Sequence, residues 1–178
     1  MHILIILGTD RENSMSKHVA EYVLKKVQNF DGVEQARLAD PAMLNITYNS
    51  SSSTFSKMVE KADGYVIVSP EYNHGYPGTL KTMIDSEFKN YNHKPVLFVP
   101  VSSGGFGGAR MVEMLNSVCK AVGLTTIRED LYVSMVKDFV KNGEFQPAKD
   151  WDEKFDSVFS NFIWYVRTLK WGRENLAD

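Results

Sequence analysis

The sequence predicts an α/β fold in which helices cover both faces of a doubly wound, five-stranded parallel sheet. Short apolar runs rich in β-branched residues, of which 63–69 is typical, have the length and composition of strands buried on both faces. Segments with helical periodicity alternate with these runs, and polar turns follow the first, third and fourth of them. Such alternation specifies a parallel sheet, for which 2-1-3-4-5 is the simplest strand order.

The first half of the chain supplies three strands and two helices. The predicted elements are, in chain order, a strand over 1–7, a helix from Ser14 or Ser16 to about Asn29, a strand over 33–39, a polar connection over 40–54, a helix over 55–62 and the strand over 63–69. Either serine can cap the first helix, whose apolar residues recur at helical spacing. The polar connection contains the serine run 50–53 and is too short for a linker, so we expect a surface loop near the functional site.

The second half of the chain continues the alternation. Its predicted elements are a helix that starts at Pro77, a strand over 96–101, a helix over 108–122, a strand over 126–133, a tight turn at Asn142 and Gly143, and a helix over 148–170 that Gly172 ends. Pro77 suits the first helical position because an N–H there would have no partner inside the helix. Leu80, Met83 and Ile84 then share one helical stripe. We expect a single domain that comprises residues 1–178.

Composition and charge narrow the class of function. Twenty Lys and Arg residues against 22 Asp and Glu give a net charge of −2, so neither nucleic acid nor an anionic membrane is expected as a partner. The first apolar run is too short for a signal peptide, and no run approaches a membrane span, so we expect a cytoplasmic protein. The only cysteine, Cys119, excludes an intrachain disulfide and a thiolate metal cluster. We expect no metal and a buried thiol, with a catalytic thiol as the alternative.

Three predicted loops converge where the strand order reverses, at the carboxyl ends of the strands. The first loop, 8–16, brings Thr9, Arg11, Ser14 and Ser16 to the start of a helix. Free N–H groups, hydroxyl donors and a guanidinium together suit a phosphate monoester. The alternative is that the serines only cap the helix and that Arg11 is solvated. The loop is neither a Walker loop nor a Gly-x-Gly-x-x-Gly turn.

The second and third loops have the composition of a binding site for a flat ligand. The second loop carries Pro70, Glu71, Tyr72, Asn73 and His74. We expect the backbone N–H groups of 71–76 to be free for a ligand, although Pro, Gly and Asn can also serve only to form a turn. The third loop carries Ser102, Ser103, Gly104 and Gly105. Its four glycines within 104–108 allow close approach of a flat molecule to the backbone. The three loops together predict a flat ligand with a phosphate at one end.

These motifs resemble those of the NAD(P)H-dependent FMN reductases of flavodoxin-like fold, which include bacterial azoreductases, quinone reductases and chromate reductases. The most specific match is Pro-Glu-Tyr-Asn at 70–73, followed by Pro-Gly-x-Leu-Lys at 77–81 and Ile-Asp at 84–85. The first loop resembles the Gly-Ser-x-Arg-x-x-Ser phosphate loop of the family, with Thr9 in the serine position. The sequence departs from the family pattern at Ser86, where tryptophan is frequent, and at 74–76. These two departures leave the substrate and partner contacts open.

The resemblance implies an oxidoreductase that passes hydride from NADPH or NADH through bound FMN to a small acceptor such as a quinone, an azo compound, chromate or free flavin. It implies three sets of FMN contacts: Thr9, Arg11, Ser14 and Ser16 at the phosphate; Pro70, Glu71, Tyr72, Asn73 and His74 at the ring; and Ser102, Ser103, Gly104 and Gly105 at its pyrimidine edge. The flavin carries the redox chemistry, so no catalytic side chain is expected. A solvated or structural role is the alternative for His74.

The resemblance further implies a homodimer or homotetramer. Lys81 and Asp85 are spaced as a helical surface ion pair, but by resemblance they belong to a dimer interface. Exposed aromatic residues are expected at Tyr72, Tyr76, Phe88 and Tyr91. Two alternatives to a reductase remain, namely a flavodoxin-type FMN electron carrier without nicotinamide oxidation of its own, and a flavodoxin-like binding module without cofactor. The mild net charge and the arginine in the first loop disfavour the carrier, since flavodoxins are typically strongly acidic.

Overall fold

A computed structural model describes residues 1–46 and 52–176 of the protein. The strands are β1 (His2–Leu7), β2 (Gln35–Ala39), β3 (Gly64–Pro70), β4 (Lys94–Val101) and β5 (Leu124–Thr126), with a hairpin of β6 (Val140–Lys141) and β7 (Glu144–Phe145). The first five strands form one parallel sheet in the order β2-β1-β3-β4-β5. The predicted fold class and strand order are therefore confirmed, as is the turn between β6 and β7. Residues 50 and 51 of the predicted serine run lie outside the described residues.

Helices cover both faces of the sheet because alternate residues of each buried strand point to opposite sides. The helices are α1 (Met15–Gln28), α2 (Pro41–Leu44), α3 (Ser53–Lys61), α4 (Gly78–Asp85), α5 (Ala109–Ala121) and α6 (Lys149–Asn175). Apolar residues of α1 and α6 pack with Ile5 and Val68 on one face. Those of α3, α4 and α5 pack with Ile6 and Ile67 on the other. Neighbouring strand residues thus belong to different cores.

The strand order reverses between β1 and β3. The connection after β1 leads outward to β2, whereas the connection after β3 leads to β4 on the opposite side. The carboxyl ends of β1, β3 and β4 therefore flank one crevice, which is where open α/β sheets bind their ligands.

The fifth strand is shorter than the strand predicted over 126–133. The backbone N–H groups of Ile127 and Leu131 are four residues apart in the chain. They donate hydrogen bonds to the carbonyls of Val96 and Phe98, which are only two residues apart in β4. Two extra residues must therefore bulge from this edge, and the charged sequence 128–130 lies in the bulge. Pairing resumes at an isolated bridge between Val133 and the end of β4. The bulge divides the predicted strand into β5 and a segment that returns to the functional end of the sheet.

The helices differ from the predicted ones at two boundaries near proline and glycine and by one additional short helix. Pro77 is the extended cap residue before α4, with φ −63° and ψ 147°, and the helix begins at Gly78. Gly172 does not end α6, which continues to Asn175. The polar connection contains α2, whose cap Asp40 accepts a hydrogen bond from the Ala42 N–H at 3.0 Å. A helix of four residues is too short to show periodicity in a sequence.

Tyr91, predicted to be exposed near a subunit interface, is fully buried instead. It is the last residue of a short 3-10 helix over 89–91 and packs edge-on against Tyr65, with ring centroids 5.3 Å apart. Phe88 is exposed as predicted, whereas Tyr72 and Tyr76 are half-buried.

Asp63 ties the end of α6 to the amino-terminal edge of the sheet. Its carboxylate accepts hydrogen bonds from the His2 N–H and Lys170 Nζ, both at 3.0 Å, and from Arg173 Nη2 at 3.2 Å. Burial raises the pKa of Asp63, but these hydrogen bonds and the two cations outweigh it and hold the pKa below the usual 3.8. A carboxyl with a lowered pKa stabilises the folded state above its unfolded pKa, and this contribution disappears as the pH falls through the folded pKa.

We expect Asp63→Asn to lower the free energy of unfolding by about 1–2 kcal/mol at pH 7, because two cations lose their shared partner. The difference from wild type should shrink as the pH falls below the usual aspartate pKa of 3.8 and through the lowered pKa of Asp63, where the wild-type carboxyl also becomes neutral. Urea unfolding at pH 7, 5, 4 and 3 measures this difference. Asp31→Asn, in an exposed turn, serves as the matched control and should show no comparable pH dependence. A difference that stays constant from pH 7 to 3 would contradict the assigned role.

The remaining predictions from composition concern the thiol, metals and membranes. Cys119 is buried as predicted, and burial raises its pKa to about 12, which disfavours the thiolate needed for catalysis. Among residues 1–46 and 52–176, no group of three or more His, Cys, Asp or Glu side chains could hold a metal ion. None of the helices described is both long and apolar enough to cross a membrane.

Candidate functional site

The crevice at the carboxyl ends of β1, β3 and β4 contains a cavity of about 370 Å³. This volume lies in the range of small-molecule and cofactor sites. All three predicted loops contribute to its walls: Arg11, Glu12, Asn13, Ser14, Met15 and Ser16 from the first, Pro70, Glu71 and Tyr72 from the second, and Val101, Ser102 and Ser103 from the third. Val136 and Lys137, from the segment after the β5 bulge, complete the lining.

The first loop is held against β3 and the second loop. The Gly8 N–H donates to the Val68 carbonyl at 2.9 Å, and a Cβ on Gly8 would lie only 2.3 Å from the Ser69 hydroxyl, so this position requires glycine. Thr9 is buried and shares a 3.0 Å hydrogen bond with the Tyr72 hydroxyl. Its Oγ1 also accepts the Arg11 N–H at 3.2 Å. Thr9 therefore positions the loop and does not itself line the cavity.

The start of α1 presents unused donors to the cavity. Ser14 is its cap residue, but the Ser14 side chain makes no capping hydrogen bond. Ser14 and Ser16 are both buried and line the cavity. Arg11 is exposed beside them and forms no ion pair with any carboxylate in the described part of the chain. A guanidinium, two hydroxyls and the positive end of a 14-residue helix form an environment suited to a phosphate.

The second loop is a tight turn with most of its backbone groups already paired. Tyr72 and Gly75 exchange two backbone hydrogen bonds, at 2.9 and 3.0 Å, and Asn73 and His74 at the tip have φ of 49° and 71°. Both positive φ values are those that a tight hairpin turn requires. The Glu71 N–H donates to the Val101 carbonyl at 3.0 Å. The expectation of free N–H groups throughout 71–76 is therefore wrong for Glu71, Tyr72 and Gly75, because the turn and β4 take these donors.

Glu71 forms the charged link between the second loop and α5. Its side chain is only 6% exposed, and Oε1 accepts two hydrogen bonds from Arg110, of which that from Nε is 2.8 Å long. The other oxygen, Oε2, is buried and has no hydrogen-bond partner within 1–46 and 52–176. A buried carboxylate oxygen without a donor is unfavourable, and Glu71 lines the cavity, so a ligand with an N–H group would satisfy it.

The conformation of the third loop requires glycine at two of its four glycine positions. Gly107 and Gly108 have φ of 63° and 90°, and a Cβ would approach Tyr132 and Pro100 to 2.9 and 2.8 Å respectively. Gly104 lies in open space. Ser102 anchors the loop start, because its N–H donates to the Val133 carbonyl at 2.9 Å.

The cavity thus unites eight of the predicted contact residues and leaves five outside its lining. Those in the lining are Arg11, Ser14, Ser16, Pro70, Glu71, Tyr72, Ser102 and Ser103. Those outside it are Thr9, Asn73, His74, Gly104 and Gly105. Sequence reasoning missed Glu12, Asn13, Met15, Val101, Val136 and Lys137. The first three fall inside the predicted first loop, but Lys137 carried no motif and only the bulge after β5 brings it to the cavity.

The residues present fit FMN. Its phosphate matches Arg11, Ser14 and the start of α1, and the N–H of its isoalloxazine ring matches the unpartnered oxygen of Glu71. The cavity is open to solvent on one side, as a cofactor that must meet two substrates requires.

Comparison with known proteins relates this chain to flavin reductases. The chain is 28% identical to an NAD(P)H-dependent FMN reductase of Schizosaccharomyces pombe, over 90% of this chain and 86% of the relative. It is 31% identical to an NADPH azoreductase of a Bacillus species, over 66% of each chain. The fold resembles that of the flavoenzyme NAD(P)H:(acceptor) oxidoreductase of Paracoccus denitrificans, with a TM-score of 0.75, 18% identity and coverage of 94% and 97%.

The family model for NADPH-dependent FMN reductase matches residues 1–138. This range contains all three loops and ends just beyond Lys137, while the hairpin and α6 follow it. The flavodoxin-like fold and the resemblance drawn from the loop motifs are both confirmed. The chain belongs to the NADPH-dependent FMN reductase family.

Proposed function

We propose that the protein binds FMN across the three-loop cavity and oxidises NADPH or NADH with a small electron acceptor, such as a quinone, an azo compound, chromate or free flavin. Membership of the FMN reductase family supports the cofactor and the reaction class. One observation carries the assignment to this site: Arg11, which has no ion-pair partner among the described residues, and the start of α1, which has no side-chain cap, line the same cavity as Glu71, whose second carboxylate oxygen has no hydrogen-bond partner among those residues. When bound, FMN supplies the hydride and electron transfer chemistry.

The first loop binds the phosphate in this proposal. Arg11 donates charge-assisted hydrogen bonds, and the Ser14 and Ser16 hydroxyls and the free N–H groups of α1 complete the phosphate site. Thr9 holds the backbone of the loop through Arg11 and Tyr72. Its effect on FMN is therefore that of a positioning residue.

The second and third loops hold the ring. Glu71 accepts a ring N–H, Tyr72 packs beside the ring, and Pro70 fixes the approach of the loop. Ser102 and Ser103 line the pyrimidine edge, where Gly104 and Gly105 leave room for close approach. Asn73 and His74 lie at the tip of the turn and contact the open side of the ring, where the nicotinamide and the acceptor bind in turn.

Steady-state nicotinamide oxidation by FMN-loaded protein tests this function. NADPH and NADH should each be offered with a quinone, an azo dye, chromate and free FMN, and turnover with at least one acceptor is expected. Protein that binds FMN but turns over none of them would instead be an electron carrier. Protein that is colourless and takes up no FMN would be a binding module without cofactor.

We also propose that the chain forms a homodimer or homotetramer. We further propose that it folds as one domain and that it is located in the cytoplasm. The exposed Phe88, Phe106 and Met114 around α4 and α5 support an interface, and the Lys81 to Asp85 ion pair lies on the same helix α4. Light scattering after size exclusion measures the assembly. Limited proteolysis tests the single domain, and cell fractionation tests the location.

A further inference from the structure

Lys137 is a cavity residue to which the loop motifs give no role. It is exposed, lines the same cavity as Arg11 and Ser102, and forms no ion pair with a carboxylate in the described part of the chain. The other charged residues of the lining are Glu12 and Glu71, and Glu71 is already paired with Arg110. Among the residues that the structure describes, Lys137 is therefore a second cavity cation without an ion-pair partner, besides Arg11.

Backbone hydrogen bonds hold the two residues before Lys137 against the third loop. The Val136 N–H donates to the Ser102 carbonyl at 3.0 Å, and the Met135 N–H donates to Gly104 at 3.1 Å. Val136 is itself buried in the core beside α1 and α6, which restrains the position of its neighbour. Further upstream, Val133 forms an isolated bridge with Val101 at the end of β4. Lys137 therefore directly follows a residue that is bonded to the third loop.

The first and third loops have separate tasks in the proposed site. A phosphate held by Arg11 at the end of β1 leaves the ring of the cofactor to extend toward the third loop. The electronegative oxygen and nitrogen atoms of a flavin lie on its pyrimidine part, and reduction adds negative charge there. An ammonium group near these atoms interacts more strongly with the reduced cofactor than with the oxidised one.

We propose that Lys137 places its ammonium group against the pyrimidine edge of the bound flavin and thereby raises the reduction potential of the cofactor. This assignment rests on the proposed binding of FMN in the three-loop cavity. It gives Lys137 direct contact with the cofactor and a role in tuning it, separate from the phosphate contact of Arg11.

The test compares wild type with Lys137→Gln, Lys137→Arg and the control Lys141→Gln, an exposed lysine of the neighbouring hairpin outside the cavity lining. The reduction potential of bound FMN is measured by spectroelectrochemistry, and FMN affinity by fluorescence titration. Lys137→Gln should lower the affinity for reduced relative to oxidised FMN about tenfold. This ratio corresponds to a potential about 30 mV more negative for a two-electron couple. Lys137→Arg and Lys141→Gln should stay close to wild type.

Three results would overturn the assignment. Equal loss of affinity for reduced and oxidised FMN would place Lys137 at the phosphate. A changed KM for NADPH with an unchanged potential would place it at the nicotinamide nucleotide, and unchanged values throughout would remove it from the site. Wild-type protein that takes up no FMN would instead overturn the proposed function, and this assignment with it, so the two failures are distinguishable.

Discussion

Arg11→Ala is expected to weaken FMN binding roughly 10- to 150-fold while the fold stays intact, because a charge-assisted hydrogen bond contributes about 1.5–3 kcal/mol. The fold should tolerate the change, since the Arg11 side chain is exposed and makes no ion pair with the described carboxylates. The backbone of the loop also keeps its bond to Thr9, which does not involve the guanidinium. Fluorescence titration of apoprotein with FMN measures the loss.

Riboflavin, which lacks the phosphate, makes this experiment specific. If Arg11 binds the phosphate, Arg11→Ala should lower FMN affinity but leave riboflavin affinity unchanged. Arg128→Ala, at an exposed arginine in the β5 bulge, is the matched control for loss of one positive charge. Equal losses for riboflavin and FMN would show that Arg11 acts on the ring or on the loop and would contradict a phosphate role.

The sequence predicted the sheet well because each strand has a strong local signal. Residues 63–69 are apolar, β-branched and of strand length, and the structure has β3 over Gly64–Pro70. The bulge after Ile127 has no comparable signal, since whether Leu131 pairs in register depends on β4, which lies some 30 residues earlier in the chain. Burial of Tyr91 likewise depends on the edge-on contact with Tyr65.

In the candidate site, too, the parts with a local sequence signal could be predicted and the parts formed by contacts between distant residues could not. The first loop could be predicted because Arg11, Ser14 and Ser16 lie within six residues at the start of a helix. Lys137 could not, because it reaches the cavity only through the bulge and the pairing of Val136 with Ser102. The link from Glu71 to Arg110 joins residues 39 positions apart and leaves no pattern in the sequence. Tertiary contacts of this kind decide which polar residues of a motif face a ligand and which face each other.

Arg110→Met is expected to destabilise the protein by about 2–3 kcal/mol, because it leaves the carboxylate of Glu71 without either of its donors. For a chain of this length the melting temperature should fall by roughly 5–10 °C. Methionine keeps the apolar stem of the side chain, so the loss reports mainly on the guanidinium group, whose carbon also lies 5.2 Å from the centroid of the Phe106 ring. Urea unfolding of apoprotein measures the effect. Lys120→Gln, on the same helix, is the control and should change stability far less.

The partner change Glu71→Gln should cost less than Arg110→Met, and this asymmetry is the sharper test. The Arg110 side chain is 45% exposed and remains hydrated without Glu71, whereas the Glu71 side chain is 6% exposed and does not. The double variant should therefore recover most of the stability that Arg110→Met loses, since no buried charge is left unpaired. If the two single variants lose equal stability and the double variant loses the sum of the two, the residues are not coupled. FMN stabilises any variant that binds it. If FMN also donates a hydrogen bond to Glu71, saturating FMN should raise the stability of Arg110→Met more than it raises the stability of the double variant.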